Sequence, residues 1–88
     1  MNQQEFQTAL GEEIRRLREA KNFSREKLSG KIGIHRNTLE RYELGADIPV
    51  MVFFRLCIAL GTRVKDVLER ILPDAEDRIR EANGLKPR

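Results

Sequence analysis

The sequence predicts an all-α domain built from five short helices. Apolar residues recur three and four positions apart in several stretches, which is the spacing of one face of a helix. Glycine and proline divide these stretches into segments of helix length, and runs rich in valine, threonine or aromatic residues are scarce. The 88 residues suit one helical domain, predicted over 1–72, with a C-terminal extension over 73–88.

The first helix is predicted from Gln7 to Lys21. Leu10, Ile14 and Leu17 fall on one face of this segment and form the stripe that faces the core. The residues before Gln7 are mostly polar, and we expect them to be frayed.

Two short helices joined by a tight turn are predicted between Phe23 and Gly45. Ser24 is a good N-cap for the first of them, and Gly33 ends it in the left-handed conformation that glycine adopts without strain. The second spans residues 35–44 and carries arginine, asparagine and glutamate on its polar face. Side chains of these types can form hydrogen bonds with the edges of base pairs.

The fourth helix is predicted to begin at Pro49 and to be apolar on nearly every side. Met51, Phe54 and Ile58 form a second apolar stripe beside the one that faces the core. This stripe fits a subunit interface, and it fits equally a surface covered by helix 5 and the C-terminal segment. Helix 5 ends at Pro73, after which the extension has the pattern of a short helix followed by a basic tail.

Composition limits the chemistry that is expected. The net charge of +3 permits nucleic-acid binding without requiring it. Cys57 is the only cysteine and His35 the only histidine, so we predict no disulfide, no metal site and no cofactor. The N-terminus lacks a signal-peptide pattern and no apolar run is long enough to span a membrane, which favours a cytoplasmic protein.

Seven residues have the types and the spacing of a known sequence pattern, which covers about Leu10 to Leu68. They fall in register with it without insertions or deletions. They are Arg18, Leu28, Gly33, Leu39, Glu43, Gly45 and Pro49. In this the chain resembles the helix-turn-helix domain of the phage repressor and Cro class, the XRE family. The resemblance implies a compact five-helix, lambda-repressor-like fold with its helix-turn-helix at about 24–44.

The resemblance also implies which residues read the bases of DNA. The base-reading positions of the family fall on Arg36, Asn37 and Arg41, and Glu40 lies close by. Arginine pairs well with guanine, asparagine with adenine, and glutamate accepts from cytosine, so the chemistry agrees with the assignment. A polar helix face of mixed charge is otherwise most often only a solvated surface, and the register of the family is what favours base reading.

Backbone contacts are predicted from the N-terminal ends of the two helices. Arg25, with Ser24 and the amides at the start of helix 2, is well suited to hold a phosphate. His35 is expected near the DNA backbone, and Thr38 is either a phosphate contact or an ordinary helix residue. The acidic Asp47 argues against strong backbone contacts from the loop after the recognition helix.

The resemblance also implies a structural ion pair between Arg18 and Glu43, because the matching residues of the family tie helix 1 to the recognition helix in this way. The alternative is that Arg18 is only a surface charge.

The function that this resemblance implies is transcription regulation, most simply repression, by a homodimer on a palindromic double-stranded DNA operator. One alternative is an antitoxin or accessory subunit that binds a partner protein and regulates its own operon. Another is an interaction module that has lost DNA binding. An enzyme is disfavoured, because the sequence has no patterned carboxylate pair, phosphate loop or nucleophile-base set.

Overall fold

The computed structural model describes residues 2–71, 80, 81, 83 and 84. Within these residues the chain is all-α and contains no strand, which confirms the predicted fold class. The predicted extension over 73–88 lies outside the described residues except at 80, 81, 83 and 84. The helices are α1 (Gln3–Ala20), α2 (Arg25–Ile32), α3 (Arg36–Glu43), α4 (Val50–Leu60) and α5 (Val64–Ile71).

The start of α1 differs from the prediction. The helix begins at Gln3, not Gln7, because the Asn2 side chain accepts a hydrogen bond from the backbone amide of Glu5 at 2.8 Å and caps the first turn. The added turn brings the half-buried Phe6 against the core. The expectation that this segment is frayed was therefore wrong for the residues described.

The turn between α2 and α3 follows the predicted pattern. The Ser24 hydroxyl oxygen accepts a hydrogen bond from the amide of Lys27 at 3.0 Å, and Gly33 ends α2 with a φ of 73°. The amide of Ile34 then donates to the carbonyl oxygen of Ser29 at 3.0 Å. These bonds satisfy one open amide at the start of α2 and one open carbonyl at its end, and they fix the angle at which α3 departs.

The core is formed by one stripe of apolar side chains from each helix. α1 packs on α3, α4 and α5, and α2 packs on α3 and α4. Burial raises the pKa of the Cys57 thiol, as expected for a small core residue. The buried apolar residues are Leu10, Ile14, Leu28, Ile32, Leu39, Phe53, Leu56, Cys57, Leu60 and Val67.

A close approach of two backbones sets the distance between α1 and α3. Gly11 of α1 is buried, and a Cβ atom placed on it would overlap the carbonyl oxygens of Tyr42 and Glu43, the latter at 2.9 Å. Only glycine therefore fits at this position. Nearer the start of α1, the side-chain amide of Gln4 donates to the carbonyl oxygen of Gly45 at 3.2 Å. This bond attaches the first turn of α1 to the loop that follows α3.

An ion cluster holds α5 against α1. The carboxylate of Glu13, which is nearly buried, accepts two hydrogen bonds of 2.8 Å from Arg16 and one of 2.9 Å from Nε of Arg70. The hydrogen bond from Arg16 lowers the pKa of Glu13 below its ordinary value of 4.5, and the charges of both arginines act in the same direction, against the effect of burial.

Replacing Glu13 with glutamine is therefore expected to destabilise the protein at neutral pH and to have less effect in acid. Because the pKa of Glu13 is lower in the folded protein, the stabilisation is complete above about pH 4.5 and is lost as the pH falls through the folded-state value. Urea unfolding at pH 7 and pH 3 measures this difference, with Glu12→Gln as an exposed neighbouring control. An equal effect of Glu13→Gln at both pH values would show that ionisation of this carboxylate does not stabilise the fold.

Candidate nucleic-acid interface

The outer face of α3 brings the predicted base-reading residues together. Arg36, Asn37 and Arg41 are exposed, and Glu40 is half-exposed. The opposite face of the helix carries the fully buried Leu39. α3 has eight residues and is therefore about 12 Å long. The polar groups on its outer face thus span a distance shorter than one helical turn of DNA.

Amide groups at the start of α2 and α3 lie beside the residues predicted to contact phosphate. Ser24 is exposed, and its hydroxyl uses an oxygen lone pair to cap α2, which leaves its hydrogen available for donation. Thr38 is half-buried in the first turn of α3. The positive end of each helix dipole is at the N-terminus, beside these residues, where it would stabilise a bound anion.

His35 has a role that sequence reasoning missed. Its Nδ1 atom accepts a hydrogen bond from the amide of Asn37 at 3.0 Å, which makes His35 the N-cap of α3. A nitrogen that accepts carries no proton, so the proton of the ring is on Nε2, which points away from the cap. The exposed ring can thus donate from Nε2 while it caps the helix. The signal in the sequence was its position, one residue before the helix.

Glu43 is the centre of a buried ion network that supports α3 from behind. Its side chain is 1% exposed. One carboxylate oxygen accepts from Nε of Arg18 at 2.7 Å, and the other accepts from Nη2 of Arg18 at 3.2 Å. Arg18 also donates from Nη1 to the carbonyl oxygen of Phe23 at 2.8 Å. The structure therefore joins the Arg18–Glu43 pair, and the arginine is a buried partner, not a surface charge.

Arg25 is a third member of this network, which the sequence did not indicate. Its Nε atom donates to Oε1 of Glu43 at 2.9 Å, and its side chain is 32% exposed. A single carboxylate thus binds arginines from α1 and α2 while itself belonging to α3. The bond through Nε orients the guanidinium of Arg25 and does not use its two terminal nitrogens.

The loop after α3 carries no basic residue. Ala46 and Asp47 are exposed, and Leu44 is exposed as well. Within the described part of the loop, the acidic side chain of Asp47 would repel a phosphate.

The second apolar stripe of α4 faces solvent. The exposed fractions are 61% for Met51, 41% for Phe54 and 78% for Ile58. α5 packs on α1 and leaves this stripe uncovered, and most of the segment after Ile71 lies outside the described residues. Leu44, just after α3, and Val50, at the start of α4, are two more large apolar side chains that are exposed in the described part of the chain.

No group of three or more histidine, cysteine, aspartate or glutamate side chains within residues 2–71 and the four described beyond them is arranged to hold a metal ion. Over the same residues, no helix is both long and apolar enough to cross a membrane.

Comparison with known proteins gives one family. A family model described as "Helix-turn-helix domain" matches residues 9–70, which include all of α2, the turn and α3. No curated protein matches the chain at a significant level. The matched region is most of the chain, and it contains the exposed α3 face and the buried network behind it. The chain therefore belongs to the helix-turn-helix domain family of the phage repressor and Cro type, whose members are small DNA-binding regulators.

Proposed function

We propose that this protein is a transcriptional repressor that binds a specific double-stranded DNA site by placing α3 in the major groove. The observation that carries the proposal is the outer face of α3, where arginine, asparagine and glutamate side chains are presented on a helix with a buried opposite face. A helix of this length and diameter fits the major groove, where each base pair offers a distinct pattern of donors and acceptors.

Four side chains read the bases in this proposal. Arg36 and Arg41 each offer two parallel N–H donors to O6 and N7 of guanine, and Asn37 offers a donor and an acceptor to adenine. Glu40 accepts from N4 of cytosine and excludes bases that present an acceptor at the same place. Each such contact is worth about 1 to 3 kcal/mol of discrimination between bases.

The DNA backbone is held by Ser24, Arg25, His35 and Thr38. The hydroxyls and the imidazole N–H donate to phosphate oxygens, and Arg25 adds a positive charge beside the first turn of α2. Glu43 orients the guanidinium of Arg25 before DNA arrives, so less conformational entropy is lost on binding. Contacts of this kind set the position of α3 in the groove and carry no sequence information directly.

The functional unit in this proposal is a homodimer on a palindromic operator. Met51, Phe54 and Ile58 are proposed as its interface, because they form an exposed apolar stripe on α4. Two copies of α3 would then enter major grooves about 34 Å apart on one side of the DNA. A dimer bound across a promoter represses by excluding the polymerase.

Selection from a random double-stranded DNA pool tests this function. The expected result is a palindrome with half-sites about one helical turn apart, bound with an affinity that falls steeply as salt concentration rises. Sedimentation of the protein with the selected DNA is expected to give two chains per site. Enrichment of no sequence, together with weak binding to every DNA, would refute the proposal.

Replacing Arg36 with alanine is expected to weaken binding of the dimer to the selected site by about 30-fold or more, because a contact worth about 1 to 3 kcal/mol is lost in each half-site. It is also expected to relax the preference at one base position of each half-site. Lys65→Ala is the control, since it removes one exposed positive charge from α5, whose main packing is on α1. Arg25→Ala is expected to weaken binding to all sequences and to reduce the salt slope by about two, one for each subunit of the dimer. Fluorescence anisotropy with specific and scrambled duplexes separates the two effects. If Arg36→Ala and Arg25→Ala act alike on every duplex, the division into base-reading and phosphate-binding residues is wrong.

A further inference from the structure

An open groove runs between α2 and α4, on a part of the molecule that the proposed DNA contacts do not use. Its volume is about 580 Å³. The apolar lining comes from Ile32, Ile58 and Ala59, and the charged lining from Lys31 and Arg55. Ile58 continues the groove into the exposed stripe that contains Met51 and Phe54.

The charges of this groove are all of one sign. Lys31 and Arg55 are exposed, and among the residues that the structure describes neither forms an ion pair. α4 contains no aspartate or glutamate. The ammonium of Lys31 lies 5.3 Å from the centre of the Phe23 ring, a cation–π contact that leaves its charge uncompensated by any carboxylate in the described part of the chain. The groove thus combines an apolar floor with two cations.

A second copy of this chain does not complement the charges of the groove. In a two-fold dimer the same surface comes from both subunits. A second α4 can bury Met51 and Phe54, but it brings another Arg55 and no carboxylate. Like charges at an interface cost free energy, so an occupant of the groove has to supply negative charge.

We propose that the α2–α4 groove binds an acidic amphipathic helix of a partner protein. Apolar side chains of that helix, spaced three and four residues apart, contact Ile32, Ile58 and Ala59. Glutamate or aspartate side chains beside them pair with Lys31 and Arg55, where partial removal of water strengthens the attraction. This binding does not rest on the proposed DNA recognition. It uses Ile58, which the proposed homodimer would also bury, so a partner helix in the groove leaves Met51 and Phe54 for contact with a second copy.

A library of helical 16-residue peptides tests the proposal. The peptides have leucine, isoleucine or phenylalanine at every third or fourth position and glutamate, glutamine or lysine at the flanking positions. Selection on the immobilised full chain is expected to enrich glutamate over lysine at the flanks. NMR of the labelled protein with a winning peptide is expected to shift the amide signals around Ile32, Ile58 and Ala59.

Charge reversal provides the decisive comparison. The double variant Lys31→Glu/Arg55→Glu is expected to bind the winning peptide at least tenfold more weakly and to select lysine-rich peptides instead. Arg15→Glu/Lys65→Glu changes the net charge equally at exposed positions of α1 and α5 and is expected to leave binding unchanged. Ile58→Asp is expected to abolish binding while the thermal unfolding midpoint is kept, because Ile58 is exposed.

Three results would overturn the proposal. The first is a selection that enriches no peptide, and the second is enrichment in which charge reversal does not change the preferred flank. The third is a homodimer that Ile58→Asp dissociates and that excludes every peptide, because the groove would then be occupied by a second copy.

Discussion

Replacing Gly11 with alanine is expected to destabilise the domain by about 3 kcal/mol, at the upper end of the range for overpacked sites. The added methyl group would overlap the carbonyl oxygens of Tyr42 and Glu43, which belong to the backbone of α3 and cannot rotate away. α1 and α3 would have to separate, and the contacts between them would be lost. A loss of this size is a large fraction of the stability of a small domain, about 5 to 15 kcal/mol in total.

Gly30→Ala is the matched control for this experiment. Gly30 is also a helical glycine, but a Cβ atom placed on it meets no other atom within 4 Å. Alanine is expected to stabilise α2 there by about 0.5 to 1 kcal/mol, because it restricts the unfolded chain and favours helix. Urea unfolding of the two variants is expected to shift the midpoint in opposite directions. If Gly11→Ala unfolds at the same urea concentration as the wild type, the approach of α1 to α3 does not depend on this glycine.

Replacing Glu43 with alanine is expected to cost about 3 to 5 kcal/mol, the range measured when one partner of a buried ion pair is removed. Arg18 would keep its positive charge in the interior and would lose two of its hydrogen bonds. Arg25 would lose the bond that orients it. Calorimetry is expected to show a lower unfolding midpoint, and DNA binding well below that midpoint is expected to be weaker on all sequences.

Two further variants separate the network from simple loss of a carboxylate. Glu19→Ala breaks an exposed pair on α1, in which Nε of Arg15 and Oε1 of Glu19 are 3.6 Å apart, and is expected to cost less than about 1 kcal/mol. Arg18→Met/Glu43→Met removes both buried charges and is expected to be more stable than Glu43→Ala. A Glu43→Ala variant that is no less stable than Glu19→Ala would contradict the structural role of the network.

The sequence was sufficient to predict the fold class and the order of the five helices. Ser24, Gly33 and Pro49 have local physical effects on the backbone, and the ends of α2 and the start of α4 followed from them. The start of α1 was wrong by four residues, although Asn2 and the acidic Glu5 three residues later are a recognisable capping signal.

Side-chain contacts between helices could be predicted only in part from the sequence. The Arg18–Glu43 pair followed from the family resemblance, but nothing in the spacing of Arg25 and Glu43 indicates that their side chains meet. The same holds for Arg70 and Glu13, which lie 57 residues apart in the chain. Such contacts depend on where whole helices come to lie, which local periodicity does not specify.

The network around Glu43 has a consequence for how the protein opens. A helix of eight residues does not persist alone in water, so α3 depends on its neighbours. Its last residue is bonded to arginines of both α1 and α2, and loosening α3 by itself would break those bonds. The amide hydrogens of α3 should therefore exchange with deuterium only when the whole domain unfolds. Each molecule then carries either the complete α3 surface or none of it.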